Sequence, residues 1–372
     1  DEFNQDQVKP SADSKFFRTG QINYDLVRQL VYHIDRQLQK ENSDGSVIVF
    51  LPGVAEINRC CSMILNGDNQ GRFVVLPLHS ALTPEDQRRV FKKYRAKRKI
   101  VVSTNIAETS ITIDDCVATV DSGRSKTMLY NPRDNTTRLV ENFISKAEAK
   151  QRRGRAGRVR EGFSYKLFSN RLYEEDMASM PAPEIKRVSL ESLYLSVKAM
   201  GIKDVKQFLA NGLDPPPLKA LEKAGSMLTT VGLLNDYDSS LTELGRFISL
   251  MPVMDSKHGK LLIYSNIFGV SDLGILIASI LSVGSSPFVG GFENRDGIKK
   301  VMSKYENRGD LLAITEIVNQ YLQLDDKYKK NRFIKENLLS YNKIKDIMSE
   351  RAQYYSNLKD VGFLPFKNDQ RL

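Results

Sequence analysis

The first patterned stretch of the chain repeats apolar residues at helical steps. Leu26, Val27, Leu30, Val31, Ile34 and Leu38 fall three and four residues apart, which predicts a helix with one buried face. Residues 1–20 before it are polar, carry Pro10, Ser11 and Gly20, and read as a linker or tail. The period then changes. Val47-Ile48-Val49-Phe50-Leu51 is continuously apolar and stops at Pro52-Gly53, which predicts a strand buried on both faces, then a turn. Further elements of the same type follow: a helix over 54–65, a strand over 73–78, a helix over 84–95 opened by Pro84, and strands over 100–103 and 117–120. A helix leads to Gly154, and a last strand covers 163–167. This alternation predicts a parallel sheet covered by helices on both faces, with functional loops at the carboxyl ends of the strands.

Pro181 and Pro183 mark a boundary, after which the patterning is helical to about residue 360, broken by Pro215-Pro216-Pro217. The chain of 372 residues therefore divides into two or three domains. No run of 18 apolar residues exists, so nothing reads as a membrane span.

Composition narrows the chemistry. Three cysteines, none in a CxxC pair, argue against a disulfide framework. His33, His79 and His258 lie far apart, which argues against a zinc site. The net charge of +10 favours a polyanionic partner, nucleic acid first.

Two motifs change the picture. In Gln151-Arg152-Arg153-Gly154-Arg155-Ala156-Gly157-Arg158, arginines at 152, 155 and 158 would share one broad helical face. The small residues between them would let another surface approach. Clustered guanidinium groups suit a phosphate chain. Two glycines inside a helix cost about 1 kcal/mol each, which a merely solvated basic helix would not repay. The second motif, Ser103-Thr104-Asn105-Ile106-Ala107-Glu108-Thr109-Ser110-Ile111-Thr112-Ile113-Asp114, follows a strand directly. Its hydroxyls and amide can bond phosphates and sugars, and Asp114 can accept from ribose hydroxyls.

Together these stretches resemble motifs V and VI of superfamily 2 helicases in the form of the DEAH/RHA family, close to TNIAETSxTI(D) and QRxGRAGR. Val49–Gly53 looks like motif IV, Leu78-His79-Ser80 with Gln87 like the element after it, and Asp121-Ser122-Gly123 with Ser125-Lys126 like the strand entering the family's β-hairpin. The resemblance covers about residues 20–360. It implies an α/β RecA-like parallel-sheet domain (the second of two) over 21–180, a winged-helix domain over 181–250, an all-α ratchet-like helical bundle over 251–360 and a tail over 361–372. Residues 126–144, with a turn at Asn131–Asn135, would form the hairpin.

The resemblance also implies ATP-dependent, 3′-to-5′ translocation on RNA. Arg155 and Arg158 would face the β- and γ-phosphates, with Arg158 as the arginine finger. Gln151 would position the attacking water. Arg152, Thr112 and Asp114 would join the nucleotide site, and Phe91 would stack on adenine. Thr104, Asn105, His79 and Ser80 would touch RNA phosphates. No GxxxxGK[ST] loop or DExH box is present, since the only Gly-Lys, Gly259-Lys260, precedes Leu261. The expectation is that Mg2+ is bound mainly by a first RecA-like domain outside these residues, and that this fragment alone neither hydrolyses ATP nor unwinds RNA. An RNA-binding scaffold without ATPase activity, and a DNA helicase of the same superfamily, stay open. The sequence names no activating partner. Ser285-Ser286-Pro287-Phe288 resembles the RHA-like branch, which implies an intracellular protein, cytoplasmic rather than nuclear.

Overall fold

The computed structural model describes residues 21–364 except 69, 81, 83, 95, 135, 159, 160, 252–254, 285, 290–293 and 306–308. The 1–20 linker, Asn135 of the hairpin turn, Ser285 and most of the 361–372 tail lie outside the described residues. The chain forms two compact units, one ending at Val188 and one starting at Ser189.

In the first unit, α1 (Tyr24–Lys40) begins at Asn23, whose side chain accepts from the Leu26 N–H at 3.1 Å. The strands are β1 (Ser46–Phe50), β2 (Phe73–Leu78), β3 (Arg98–Ser103), β4 (Cys116–Asp121) and β7 (Phe163–Lys166). They form one parallel sheet in the order β2-β3-β1-β4-β7. Alternation along β1 shows why its apolar run is unbroken. Val47, Val49 and Leu51 enter the core under α1 and α2 (Val54–Asn66), while Ile48 and Phe50 enter the core on the opposite face with Val90, Ala107 and Ala156. The edge strand β2 carries Pro77.

The helix expected over 84–95 is shorter. It covers Pro84–Arg88 (α3), with one 3-10 turn over Arg89–Phe91. The buried Lys99 ammonium takes the carbonyls of Val90 (2.5 Å) and Lys92 (3.2 Å), and this draws the chain out of the helix. After β4, Gly123 turns the chain at φ +70°, where a Cβ would lie 2.5 Å from the Phe168 ring. The expected hairpin follows as β5 (Arg124–Asn131) and β6 (Thr136–Phe143), antiparallel throughout. The Tyr130 N–H bonds the Arg187 carbonyl at 2.8 Å, so residues 181–188 stay with this unit rather than starting the next.

The second unit opens with α6 (Glu191–Ala199), α7 (Val205–Ala210) and α8 (Leu218–Val231), then an antiparallel bridge between Leu234 and Leu241, and α9 (Glu243–Ser249). The remaining helices are α10 (Ser256–Ile267), α11 (Ser271–Ser282), α12 (Arg295–Ser303), α13 (Gly309–Leu322), α14 (Lys327–Glu336) and α15 (Tyr341–Asp360). Lys260 Nζ donates to the Val231 carbonyl at 2.6 Å and closes the end of α8. Among the described residues no helix is long and apolar enough to cross a membrane.

Candidate functional site

A parallel sheet has two rims, and the candidate residues divide between them. At the carboxyl rim, Leu78 of β2 pairs with Ser103 of β3, and the Thr104 N–H donates to the Leu78 carbonyl at 3.2 Å. His79, Ser80, Thr104 and Asn105 therefore stand together. Ser80 and Asn105 are exposed, and Thr104 is half-buried. His79 is buried, its Nδ1 has no partner, and burial lowers its pKa, so its imidazole is neutral near pH 7. Asn105 and Ser80 are the accessible groups of this set.

The nucleotide candidates do not follow the expectation that functional loops sit at the carboxyl ends. Thr112 and Asp114 lie in the loop entering β4, and Arg158 precedes β7, so all three stand at the amino rim. The Ser46 N–H, at the start of β1, donates to the Asp115 carbonyl at 2.7 Å and fixes that loop against the sheet. Lys99 Nζ pairs with the Asp115 carboxylate at 2.9 Å. Gly162 lets the segment after Arg158 return to β7, because a Cβ there would lie 2.2 Å from the Ala156 carbonyl oxygen. The crossovers that precede β4 and β7 thus place these candidates at their far ends, the amino rim of the sheet.

The three arginines of the second motif do not share one helical face. α5 (Lys146–Arg153) is fixed at its start by a capping box between Ser145 and Glu148, and it ends before Arg155. Arg152 points inward and is fully buried. Its Nε donates to Glu108 at 3.0 Å and its Nη1 to Asp121 at 2.9 Å. A nucleotide placed at the surface does not reach it, and this corrects its assignment to the cofactor-binding set. Glu108 and Asp121 were not distinguished in the sequence, although both stand inside quoted motifs. Nothing in their spacing, 44 and 31 residues from Arg152, pairs them with it.

Arg155 and Arg158 emerge beyond the helix. Arg158 is exposed, and its Nη1 donates to Thr112 Oγ at 2.7 Å, joining two predicted site residues. It borders an open depression of about 650 Å³ that Glu41, Ser43, Gly157 and Glu161 also line. Arg155 is half-buried, and its Nε and Nη1 are buried without a partner among the described residues. Burial lowers its pKa, and the charge of Arg158 lowers it further. Among the described residues neither arginine has a carboxylate partner. Gln151 is exposed. Asp114 is exposed on a separate depression of about 660 Å³ with Lys93, Tyr94 and Lys97. Phe91, at the end of its 3-10 turn, is 53% exposed, which leaves its ring face open. Among the described residues no group of three or more His, Cys, Asp or Glu could hold a metal ion.

Comparison with known proteins places both halves of the chain in one family. Residues 24–160 match the family described as the helicase conserved C-terminal domain, and residues 255–314 match the ratchet-like helicase associated domain HA2. A Saccharomyces cerevisiae protein named as a candidate ATP-dependent RNA helicase is 68% identical over 97% of this chain, which covers 25% of that protein. The human ATP-dependent RNA helicase DHX29 is 38% identical over 76% of the chain, covering 20% of its length. An Arabidopsis thaliana DExH-box ATP-dependent RNA helicase, DExH3, is 34% identical over 92% of the chain, covering 28% of its length. The chain thus spans about a quarter of the length of the curated relatives it matches.

Proposed function

This chain belongs to the DEAH-box (DExH) helicase family, and on that premise we propose that it supplies one wall of the ATP site and part of the RNA grip of an ATP-dependent RNA helicase. The observation that carries the reading is Arg155, with two buried guanidinium nitrogens that no described residue satisfies, next to the exposed Arg158. Buried donors without acceptors are costly, and two neighbouring cations with no carboxylate paired to them among the described residues suit an anion. A polyphosphate brought by a facing domain fits both demands. A Cβ on Gly157 would meet nothing within 4 Å, so its glycine leaves room for such a surface rather than answering a constraint within the fold.

In this site Arg158 is held by Thr112 and stabilises charge as the terminal phosphoryl group transfers. Arg155 neutralises the neighbouring phosphate oxygens. Gln151 orients the attacking water, Asp114 accepts from the ribose, and Phe91 offers a stacking face. Mg2+ would balance phosphate charge from the facing domain. At the opposite rim, Thr104, Asn105 and Ser80 hold phosphates of a single strand without reading its bases. The β5–β6 hairpin, with Met128 and Leu139 paired and exposed, stands where a duplex would be parted. By the family resemblance, residues 181–250 with the Leu234–Leu241 bridge would be the winged helix and residues 251–360 the ratchet-like bundle.

The test is Arg158→Ala in the full-length protein. ATP affinity should hold while turnover with RNA falls about 10³-fold or more, the scale of a lost arginine finger. Undiminished turnover would remove the assignment. Stimulation by DNA and not by RNA would replace the substrate.

A further inference from the structure

Arg152 is the motif arginine that the proposed nucleotide site does not touch. Its guanidinium lies 5.0 Å over the Phe50 ring and binds Glu108, Asp121 and, at 3.2 Å, the Arg124 carbonyl. Two carboxylates on one guanidinium carry net negative charge into the core. Burial raises the pKa of Glu108, and Arg152 opposes that rise. Well-packed apolar residues would hold these elements together as firmly, so the charges point to a use other than stability. One further observation sets the triad apart: Nη2 of Arg152 is buried with no acceptor, so its hydrogen bonding is not saturated.

The triad ties the carboxyl rim to the segment that carries Arg155 and Arg158. Glu108 sits on α4 (Ile106–Thr109), which starts directly after Thr104-Asn105. A helix of four residues has no stability of its own, so its position follows its anchors. These include Ala107 and Ile106, packed in the core, the Glu108 N–H on the Asn105 carbonyl, at 2.9 Å, and Arg152 on the Glu108 carboxylate. Arg152 occupies the last turn of α5, three residues before Arg155, and Arg155 itself feels the Glu108 charge.

We propose that Glu108, Arg152 and Asp121 form a coupling clasp through which strand binding at Thr104-Asn105 sets the position of Arg155 and Arg158. A phosphate backbone that shifts the Thr104–Asn105 turn moves Glu108, and Arg152 transmits the shift into the segment after α5. The spare Nη2 donor gives the clasp a second arrangement to occupy. Arg152 and Glu108 are positioning residues, not catalytic ones, and the inference rests on the two-rim function proposed above.

Glu108→Gln in the full-length protein tests it, since glutamine keeps the shape and an acceptor oxygen but removes the charge. Basal ATP turnover and affinity for single-stranded RNA should stay within about threefold of wild type, while RNA-stimulated turnover falls about tenfold, a typical coupling magnitude. An unchanged ratio of stimulated to basal turnover would overturn the clasp. So would a parallel fall in both rates with a lowered Tm, which marks a structural role alone. Asp121→Asn is the second variant, judged by the same ratio, and failure of both variants to fold would also assign the triad to stability and end the proposal. Arg158→Ala separates the two readings: if it leaves turnover intact, the nucleotide site is wrong, whereas the Glu108→Gln ratio addresses the clasp alone.

Discussion

Asp35 shows how single buried charges set the stability of the first unit. Its carboxylate is almost fully buried, with Oδ1 accepting from Arg98 Nε at 3.0 Å and Oδ2 accepting from Gln39 Nε2 at 2.9 Å. Asp35→Ala strands the mostly buried Arg98 guanidinium, so chemical denaturation should report a loss of about 3–5 kcal/mol. A loss below about 1 kcal/mol would class the pair with exposed ion pairs instead. Gly123→Ala should also destabilise, by about 1–3 kcal/mol, because alanine is strained at φ +70° and its Cβ meets Phe168. At this scale the sequence was only partly legible. Arg155, Arg158 and Thr112 could be singled out because the motif fixes residue types. The inward turn of Arg152 could not, because it depends on carboxylates supplied by α4 and β4.

Among the elements, α5 is the one whose anchoring bears on the site. The Ser145 hydroxyl accepts from the Glu148 N–H, and the Glu148 carboxylate accepts from the Ser145 N–H at 2.7 Å. Ser145→Ala should cost about 1–2 kcal/mol in thermal or chemical unfolding, with Glu148→Ala smaller but of the same sign. In the second unit, His258 on α10 meets Ser282 on α11, which in turn bonds Tyr354 on α15. Burial lowers the His258 pKa below its ordinary 6.5, with Asp255 raising it and Lys257 lowering it by smaller amounts. The unfolded chain therefore binds more protons in the window just below pH 6.5, and stability falls as pH drops through it. Tm measured from pH 7.5 to 5.5 should decline, and His258→Gln should flatten that decline. Strands and helices were mostly legible because their apolar periods are strong. The helix over 84–95 was not, because a lysine from β3 takes its carbonyls, a long-range bond that no local pattern encodes.

For the whole molecule, the division of candidates between two rims matters most. β3 runs from Arg98 to Ser103, and at about 3.3 Å per residue it separates the rims by roughly 20 Å. The sheet between them is largely apolar, with the Glu108–Arg152–Asp121 clasp as the one proposed link, so substitutions outside that clasp at one rim should change ground-state binding at the other little. Asn105→Ala should weaken RNA affinity with little change in ATP affinity, and Arg158→Ala the reverse in turnover. With a net charge of +10, RNA affinity should also fall with salt; for about four neutralised phosphates on a single strand, log K should drop by about 3 per decade of salt. A slope near zero would argue against a backbone grip.

The outermost strand, β2, has a consequence of another kind. Its free flank is a template onto which a newly made copy could zip itself, and Pro77 removes one amide from the strand that forms it. Replacing Pro77 with valine should leave the native fold intact yet make concentrated samples clump when warmed. One imino acid would then be guarding the solubility of the chain during synthesis.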